Sequence, residues 1–207
     1  MFGSDLFPNG WGMLGNDNYG DCTVAGADHI NMLWLKAKGV TTHFTDVDAL
    51  DDYEAFGYVP GKPATDQGAD MVAVAQYWQA TGMRDWIARR HQIAAYASIE
   101  GSDVGAPDLD HVYLCSWLFG AVGIGIMMSQ ANEDQFDHNE TWTPDSDADE
   151  YHFVPVIGRG PAGLLFITWG KACWMSEDFF RRNCKEALAY LYDENDPNAR
   201  LFAEAAQ

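Results

Sequence analysis

A glycine-rich run near the N-terminus constrains the fold more than any other part of this sequence. Residues 10–21 are rich in glycine, asparagine and aspartate, which predicts an irregular loop, and Cys22 follows directly. From residue 21 to 38, apolar side chains recur every three or four positions and Gly39 provides a stop, so this segment is predicted to be a mostly buried helix. Unpaired N–H groups at a helix start favour a thiolate. We therefore predict a lowered pKa for Cys22 and a nucleophilic role.

Further helices and strands follow from apolar periodicity and capping residues. Thr45 or Asp46 can cap a second helix that runs through Phe56. Other predicted elements are a helix over 66–81, a strand over 92–99, a helix over 108–119 and a buried strand over 121–128. The chain thus begins with helices and turns to strands later.

The last third of the sequence begins with an acidic segment and then shows mainly strand patterns. Residues 129–150 are acidic and lack periodicity, which predicts a solvated loop. Short apolar runs over 151–157 and 164–169, separated by Gly158-Arg-Gly-Pro161, predict an antiparallel hairpin. Ser176 is predicted to open a final helix, with an apolar face formed by Phe179, Phe180, Cys184, Ala187, Leu188 and Leu191.

Composition excludes several classes of protein. The 207 residues are predicted to form one domain over 1–207, and a net charge of −19 argues against nucleic-acid binding. The four cysteines show no metal-ligand spacing, so neither metal nor cofactor is expected. No signal peptide and no membrane-spanning segment is recognisable, so no membrane association is expected.

A thiol nucleophile needs a base, which usually comes from a distant part of the sequence. His152 begins the first strand of the predicted hairpin, and the neighbouring Asp149 and Glu150 would favour its imidazolium form. A Cys22 thiolate paired with a His152 imidazolium is therefore predicted.

Three short blocks resemble the papain-like cysteine peptidases. They are the loop Asn16-Asp-Asn-Tyr-Gly-Asp-Cys22, the strand Tyr151-His-Phe-Val-Pro-Val-Ile-Gly158 and the strand that ends with Ile167-Thr-Trp-Gly170. The resemblance implies an α+β, papain-like fold in which an N-terminal nucleophile helix packs on a small antiparallel sheet. It also implies Cys22 as nucleophile, His152 as base and an amide from Asn16 or Asn18 in the oxyanion hole.

The sequence departs from the family pattern at the residue that orients the histidine. The family has asparagine there, whereas this chain has Ile167, which cannot orient an imidazole. Thr168 or an acidic residue from another loop could replace it, so the third catalytic role remains open. Thr23 also follows Cys22 where the family prefers an aromatic residue.

The predicted function is hydrolysis of a peptide or protein substrate by Cys22 and His152. The alternative is an impaired papain-like fold used as a structural or binding protein. The run around Cys22 resembles proteins of actinobacteria and their bacteriophages, which implies a virion component with other virion proteins as partners. The predicted location is accordingly the cytoplasm, or the virion for a phage protein.

Each candidate residue also has a simpler interpretation. Cys22 could be a small buried residue, and His152 a structural histidine at a strand end. His29 is expected to be a buried, hydrogen-bonded histidine, with a cysteine and histidine metal site as the alternative. Residues 145–150 alternate carboxylates as calcium loops do, but lack the glycine and the final glutamate of an EF-hand.

Overall fold

The computed structural model describes residues 7, 10–40, 42–101 and 106–192. The helices are α1 (Cys22–Ala37), α2 (Asp46–Tyr53), α3 (Met71–Ala80), α4 (Leu109–Phe119), α5 (Gln130–Asp137) and α6 (Glu177–Asn183). The strands are β1 (Met83–Arg84), β2 (Arg90–His91), β3 (Ala95–Ser98), β4 (Val122–Met128), β5 (Glu150–Gly160), β6 (Gly163–Thr168), β7 (Lys171–Met175) and β8 (Cys184–Leu191). Single 3₁₀ turns lie at Glu54–Phe56 and Pro63–Thr65.

Six strands form one antiparallel sheet in the order β3-β8-β4-β5-β6-β7, and β1 pairs with β2 separately. The predicted hairpin is confirmed as β5 and β6, whose last register pair is Gly160 with Gly163. The α+β class with a helix-led first half is also confirmed.

Helix α1 packs against β5 and carries the N-terminal half of the core. Gly26 faces the ring of Phe153, and a Cβ atom at this position would lie 2.3 Å from that ring. The helix can therefore approach the strand closely only because Gly26 has no side chain. Val24, Ile30 and Leu33 complete the buried face, as the periodicity predicts.

The sheet separates two apolar clusters. One lies between the sheet and the helices α1 and α3, and includes Trp78, Phe153 and Ile167. The other lies on the opposite face under α4 and α6, and includes Val154 and Phe166. Alternate residues of β5 and β6 thus enter opposite clusters.

Several predicted elements are confirmed and two predictions are wrong. The helices at 22–37 and 109–119 and strand β4 lie where the sequence indicates, and the predicted second helix is an α-helix to Tyr53 that continues as a 3₁₀ turn over Glu54–Phe56. Strand β3 covers only 95–98 of the predicted 92–99. The third helix begins at Met71, later than predicted, because the side chain of Asp70 caps it by accepting from the N–H of Ala73. The segment 129–150 is not simply a loop, because Ser129 and Asn132 form a capping box that starts α5.

The predicted length of the final helix is also wrong. It ends at Asn183, and residues 184–191 form strand β8 between β3 and β4. Leu188 therefore lies in the first cluster, while Cys184 and Ala187 lie in the second. Both faces of β8 are buried, so its apolar residues show no alternation that would distinguish it from a helix.

The N-terminal run pairs with the turn between β6 and β7. Gly12 forms an antiparallel bridge with Gly170, and the N–H of Trp11 donates to the carbonyl of Gly170 at 2.9 Å. The loop before Cys22 is thus held beside the turn after β6. Within the described ranges, no helix is long and apolar enough to span a membrane.

Candidate active site

Cys22 is the first residue of α1, and two hydrogen bonds fix this helix start. The N–H of Gly20 donates to Asp66 Oδ1 at 2.9 Å, and Thr23 Oγ1 donates to the carbonyl of Ala69 at 2.9 Å. Both partners belong to the segment before α3. Residues 66–69 therefore form a wall beside the cysteine.

A groove of about 620 Å³ lies between this helix start and the sheet. Asn16, Cys22 and residues 66–71 contribute to one side, and His152 and Trp169 contribute to the other. The remaining lining residues are Tyr19, Gly20, Thr23, Glu150, Tyr151 and Glu186. A volume of this size suits a peptide side chain and its backbone.

His152 is held by two neighbours at the start of β5. Its Nε2 atom is 2.8 Å from Thr168 Oγ1, and its ring stacks on Trp169 with centroids 5.0 Å apart and planes at 26°. The residue is 6% exposed. These contacts fix the orientation of the ring and leave Nδ1 as the nitrogen free of the Thr168 contact.

Thr168 therefore contacts the histidine as one of the sequence-based alternatives requires. Ile167 lies in the apolar cluster on the α1 side of the sheet, whereas Thr168 is directed to the face that carries His152. The alternation of β6 makes this unavoidable, because neighbouring strand residues point to opposite faces. Of these two neighbours, Thr168 and not Ile167 lies within hydrogen-bond distance of the imidazole.

The electrostatics contradict the predicted ion pair. Burial raises the pKa of the Cys22 thiol above its ordinary value, and hydrogen bonds from the backbone of Phe153 and the side chain of Thr23 offset this only in part. Burial also lowers the pKa of His152 to about 4. The expectation of a lowered Cys22 pKa is wrong, because desolvation outweighs the helix terminus. Both groups are neutral at pH 7 in this structure.

The same result corrects the expected effect of Asp149 and Glu150. Glu150 is the first residue of β5 and Asp149 precedes it, and both are exposed, whereas the imidazole of His152 is buried. Desolvation is the cause of the pKa shift at His152, and no carboxylate offsets it.

The two asparagines proposed for the oxyanion hole lie in different places. Asn16 lines the groove, and its Nδ2 atom donates to the carbonyl of Tyr19 at 3.2 Å. Asn18 is exposed on the same turn and does not line the groove. Of the two amides, the structure brings only that of Asn16 to the cysteine side of the groove.

Asp21 is an unexpected buried carboxyl group directly before Cys22. It is fully buried, and neither carboxyl oxygen has a hydrogen bond of ordinary geometry. Burial raises the pKa of Asp21 to about 8, although the neighbouring Asn16 amide lowers it by a smaller amount. The sequence contains no signal for this shift, because it depends on packing against the turn at Gly15.

The sequence also did not indicate that Tyr151, Glu186 and residues 66–71 line the groove. The hydroxyl of Tyr151 donates to Glu186 Oε1 and lies 3.3 Å from Met71 Sδ, so it links strand β8 to the start of α3 across the groove. Tyr151 stands next to His152 and could have been considered on that ground. Glu186 carries no local sequence pattern.

The alternative metal sites gain no support. His29 is buried and its Nε2 atom lies 3.0 Å from the carbonyl of Gly12, which confirms the buried, hydrogen-bonded interpretation. Asp145 Oδ2 accepts a hydrogen bond from Ser129. Within the described parts of the chain, no group of three or more His, Cys, Asp or Glu residues could hold a metal ion.

Comparison with known proteins gives matches at the level of structure. No family model matches the sequence, and no curated protein matches it. Xylellain, a cysteine protease from Xylella fastidiosa, superposes with a TM-score of 0.62 at 12% identity, over 85% of this chain and 81% of its own. The cysteine protease and lectin-like domains of Cwp84 from Clostridium difficile give 0.62 at 12% identity, over 90% of this chain and 50% of theirs.

A third match is digestive procathepsin L 3 of Tenebrio molitor, with a TM-score of 0.59 at 11% identity, over 89% of this chain and 68% of its own. At these identities the similarity concerns the fold alone. It agrees with an N-terminal helix that is followed by an antiparallel sheet. The chain therefore has the fold of the papain-like cysteine proteases.

Proposed function

We propose that this protein is a cysteine hydrolase that cleaves peptide bonds, with Cys22 as nucleophile and His152 as base. The observation that supports this most strongly is that both side chains line one groove while Thr168 and Trp169 fix the imidazole. A nucleophile, a base and a group that orients the base are the parts that acyl transfer requires.

The neutral resting state requires proton transfer during attack. His152 accepts the thiol proton as the sulfur of Cys22 bonds to the substrate carbonyl carbon, and the carbonyl electrons move to oxygen. The N–H of Cys22 and the Asn16 amide stabilise this oxyanion. The oxyanion then collapses, the C–N bond breaks and His152 returns the proton to the leaving nitrogen.

Water completes the cycle. His152 removes a proton from water while the oxygen attacks the thioester carbon, and a second oxyanion forms. When this collapses, the C–S bond breaks, the acid product leaves and Cys22 regains its proton from His152. Thr168 acts throughout as a positioning residue, because it contacts the imidazole rather than the substrate.

The test is hydrolysis of a mixed fluorogenic peptide library, together with labelling by peptidyl chloromethyl ketones. Cys22→Ala should abolish hydrolysis, and His152→Ala should reduce it by about 10³-fold or more. Cys173→Ala serves as the matched control, because Cys173 is a half-buried thiol outside the groove. Absence of hydrolysis together with equal labelling of Cys22 and Cys173 would refute the proposal.

A second candidate is a papain-like protein without activity that serves as a binding or structural component, including a bacteriophage virion protein. The raised pKa of Cys22 favours it, and so does Ile167 at the position where the family has asparagine. Folded protein that binds peptides in the groove but leaves them intact would support this alternative.

A further inference from the structure

The side chain of Tyr151 spans the groove beside Cys22. Its hydroxyl donates to Glu186 Oε1 on β8 and lies 3.3 Å from Met71 Sδ at the start of α3. Met71 belongs to the helical wall of the groove, whereas Tyr151 and Glu186 belong to the sheet. A side chain of the protein itself therefore connects the two walls at this point.

The strand register explains how the ring fits here. Gly125 on β4 pairs with Phe153 of β5 on one side and with Glu186 of β8 on the other. Tyr151 stands two residues before Phe153, so its side chain and that of Glu186 lie on the same face of the sheet. A Cβ atom at Gly125 would lie 2.6 Å from Cζ of Tyr151. The ring can lie directly on the backbone of β4 because glycine has no side chain.

The hydrogen bond to Glu186 fixes the other end of the ring. Burial raises the pKa of Tyr151, and the hydrogen bond to Glu186 raises it further, so the hydroxyl keeps its proton and continues to donate. A Cys22 thiolate would raise the same pKa by charge repulsion, so the two side chains are neighbours. The ring is held by β4 beneath it and by Glu186 at its tip, which makes it a fixed wall of the groove.

We propose that Tyr151 closes the side-chain pocket next to Cys22, so that the groove selects substrates with glycine or alanine at the position that faces this ring. This inference rests on the proposed function, which places that position close to the bond to be cleaved. A leucine or phenylalanine there would have to displace a ring that β4 and Glu186 hold in place. Glycine and alanine require no such displacement.

Peptide binding to the Cys22→Ala protein tests this selectivity without turnover. Fluorescein-labelled hexapeptide mixtures, each with one position fixed as glycine, alanine, leucine or phenylalanine, are compared by fluorescence anisotropy. At one position we expect the glycine and alanine mixtures to bind about tenfold more tightly than the leucine and phenylalanine mixtures. Tyr151→Ala in the same protein should remove this preference, because the pocket is then open to larger side chains.

Further variants separate the volume of the ring from its other effects. Tyr151→Phe should keep most of the preference, since the ring still fills the pocket. Tyr151→Leu, whose side chain is too short to reach Met71, should weaken the preference and keeps the test valid even where Tyr151→Ala folds poorly. Tyr96→Ala is the matched control, because Tyr96 is a half-buried tyrosine on β3 outside the groove, and it should leave the preference unchanged.

The same binding data can overturn the inference. Equal binding of the four mixtures at every position does so, as does a preference that survives both Tyr151→Ala and Tyr151→Leu.

Hydrolysis of the same mixtures by the wild-type protein, followed by mass spectrometry, separates this inference from the proposed function. Selective binding of the glycine and alanine mixtures without any hydrolysis overturns the proposed function and supports the closed pocket. Hydrolysis at equal rates for all four mixtures overturns the closed pocket and supports the proposed function. Absence of both binding and hydrolysis overturns both.

Discussion

Replacing the buried carboxyl of Asp21 by an amide should change the pH dependence of stability. The folded-state pKa of Asp21 is raised from 3.8 to about 8 by burial. Between these two values the folded protein holds a proton on Asp21 that the unfolded chain has released. The contribution of Asp21 to stability is therefore fully present below pH 3.8 and is lost as the pH rises through 8.

The size of the effect follows from the shift. Each pH unit inside this window changes the free energy of unfolding by about 1.4 kcal/mol, so wild type should lose about 4 kcal/mol through Asp21 between pH 5 and pH 8. An asparagine side chain does not titrate, so Asp21→Asn should lack this component. His29, His152 and the buried Asp28 are present in both proteins and cancel from the comparison, apart from the charge interaction between Asp28 and Asp21 that the substitution removes.

Urea denaturation followed by tryptophan fluorescence at pH 5, 6.5 and 8 measures the difference. Asp17→Asn is the matched control, because Asp17 is an exposed carboxylate on the same turn. Its pH dependence should follow wild type. The reasoning is refuted if Asp21→Asn and wild type lose the same stability, within about 1 kcal/mol, from pH 5 to pH 8.

Three further predictions concern the site and the core. Thr168→Val should slow hydrolysis about tenfold or more and alter its pH profile, since His152 loses its hydrogen bond, whereas Thr168→Ser should retain both. Gly26→Ala should lower the free energy of unfolding by about 1–3 kcal/mol because its Cβ meets the ring of Phe153, and adding Phe153→Leu should recover part of the loss in urea denaturation. Burial lowers the pKa of His29 to about 4, so the stability that the neutral imidazole contributes is lost as the pH falls from 6.5 to 4. His29→Gln should therefore lose about 3 kcal/mol less of its free energy of unfolding than wild type over this pH range. Equal acid sensitivity of the two proteins in urea denaturation would contradict this prediction.

The sequence predicted those parts of the fold that have a local cause. Helix α1 could be read from the spacing of Val24, Ile30 and Leu33, and the β5 to β6 hairpin from its glycine and proline connection. Strand β8 could not be read in this way. Its two faces are buried by different helices, and pairing with β3 and β4 overrides the helical pattern.

The same distinction between local and tertiary causes applies to the candidate site. Cys22, His152 and Thr168 were recognisable because each lies in a short segment with distinctive neighbours. The neutral state of Cys22 and His152 was not, because it depends on how deeply packing across the groove removes them from water. Glu186 was missed because the fold brings it to the groove from a strand that the sequence did not indicate.

A neutral resting pair is compatible with the proposed catalysis, because the proton would pass from Cys22 to His152 only during attack. In the proposed mechanism, the N–H groups at the start of α1 and the amide of Asn16 would stabilise the oxygen that becomes negative during attack. His152 would become positive in the same step, at a cost set by its burial, because no carboxylate offsets the lowering of its pKa. The developing oxyanion is therefore the charge that these donors would stabilise while the proton is transferred. Burial thus disfavours the ion pair in the resting protein, where no oxyanion is present, more than it disfavours the transition state.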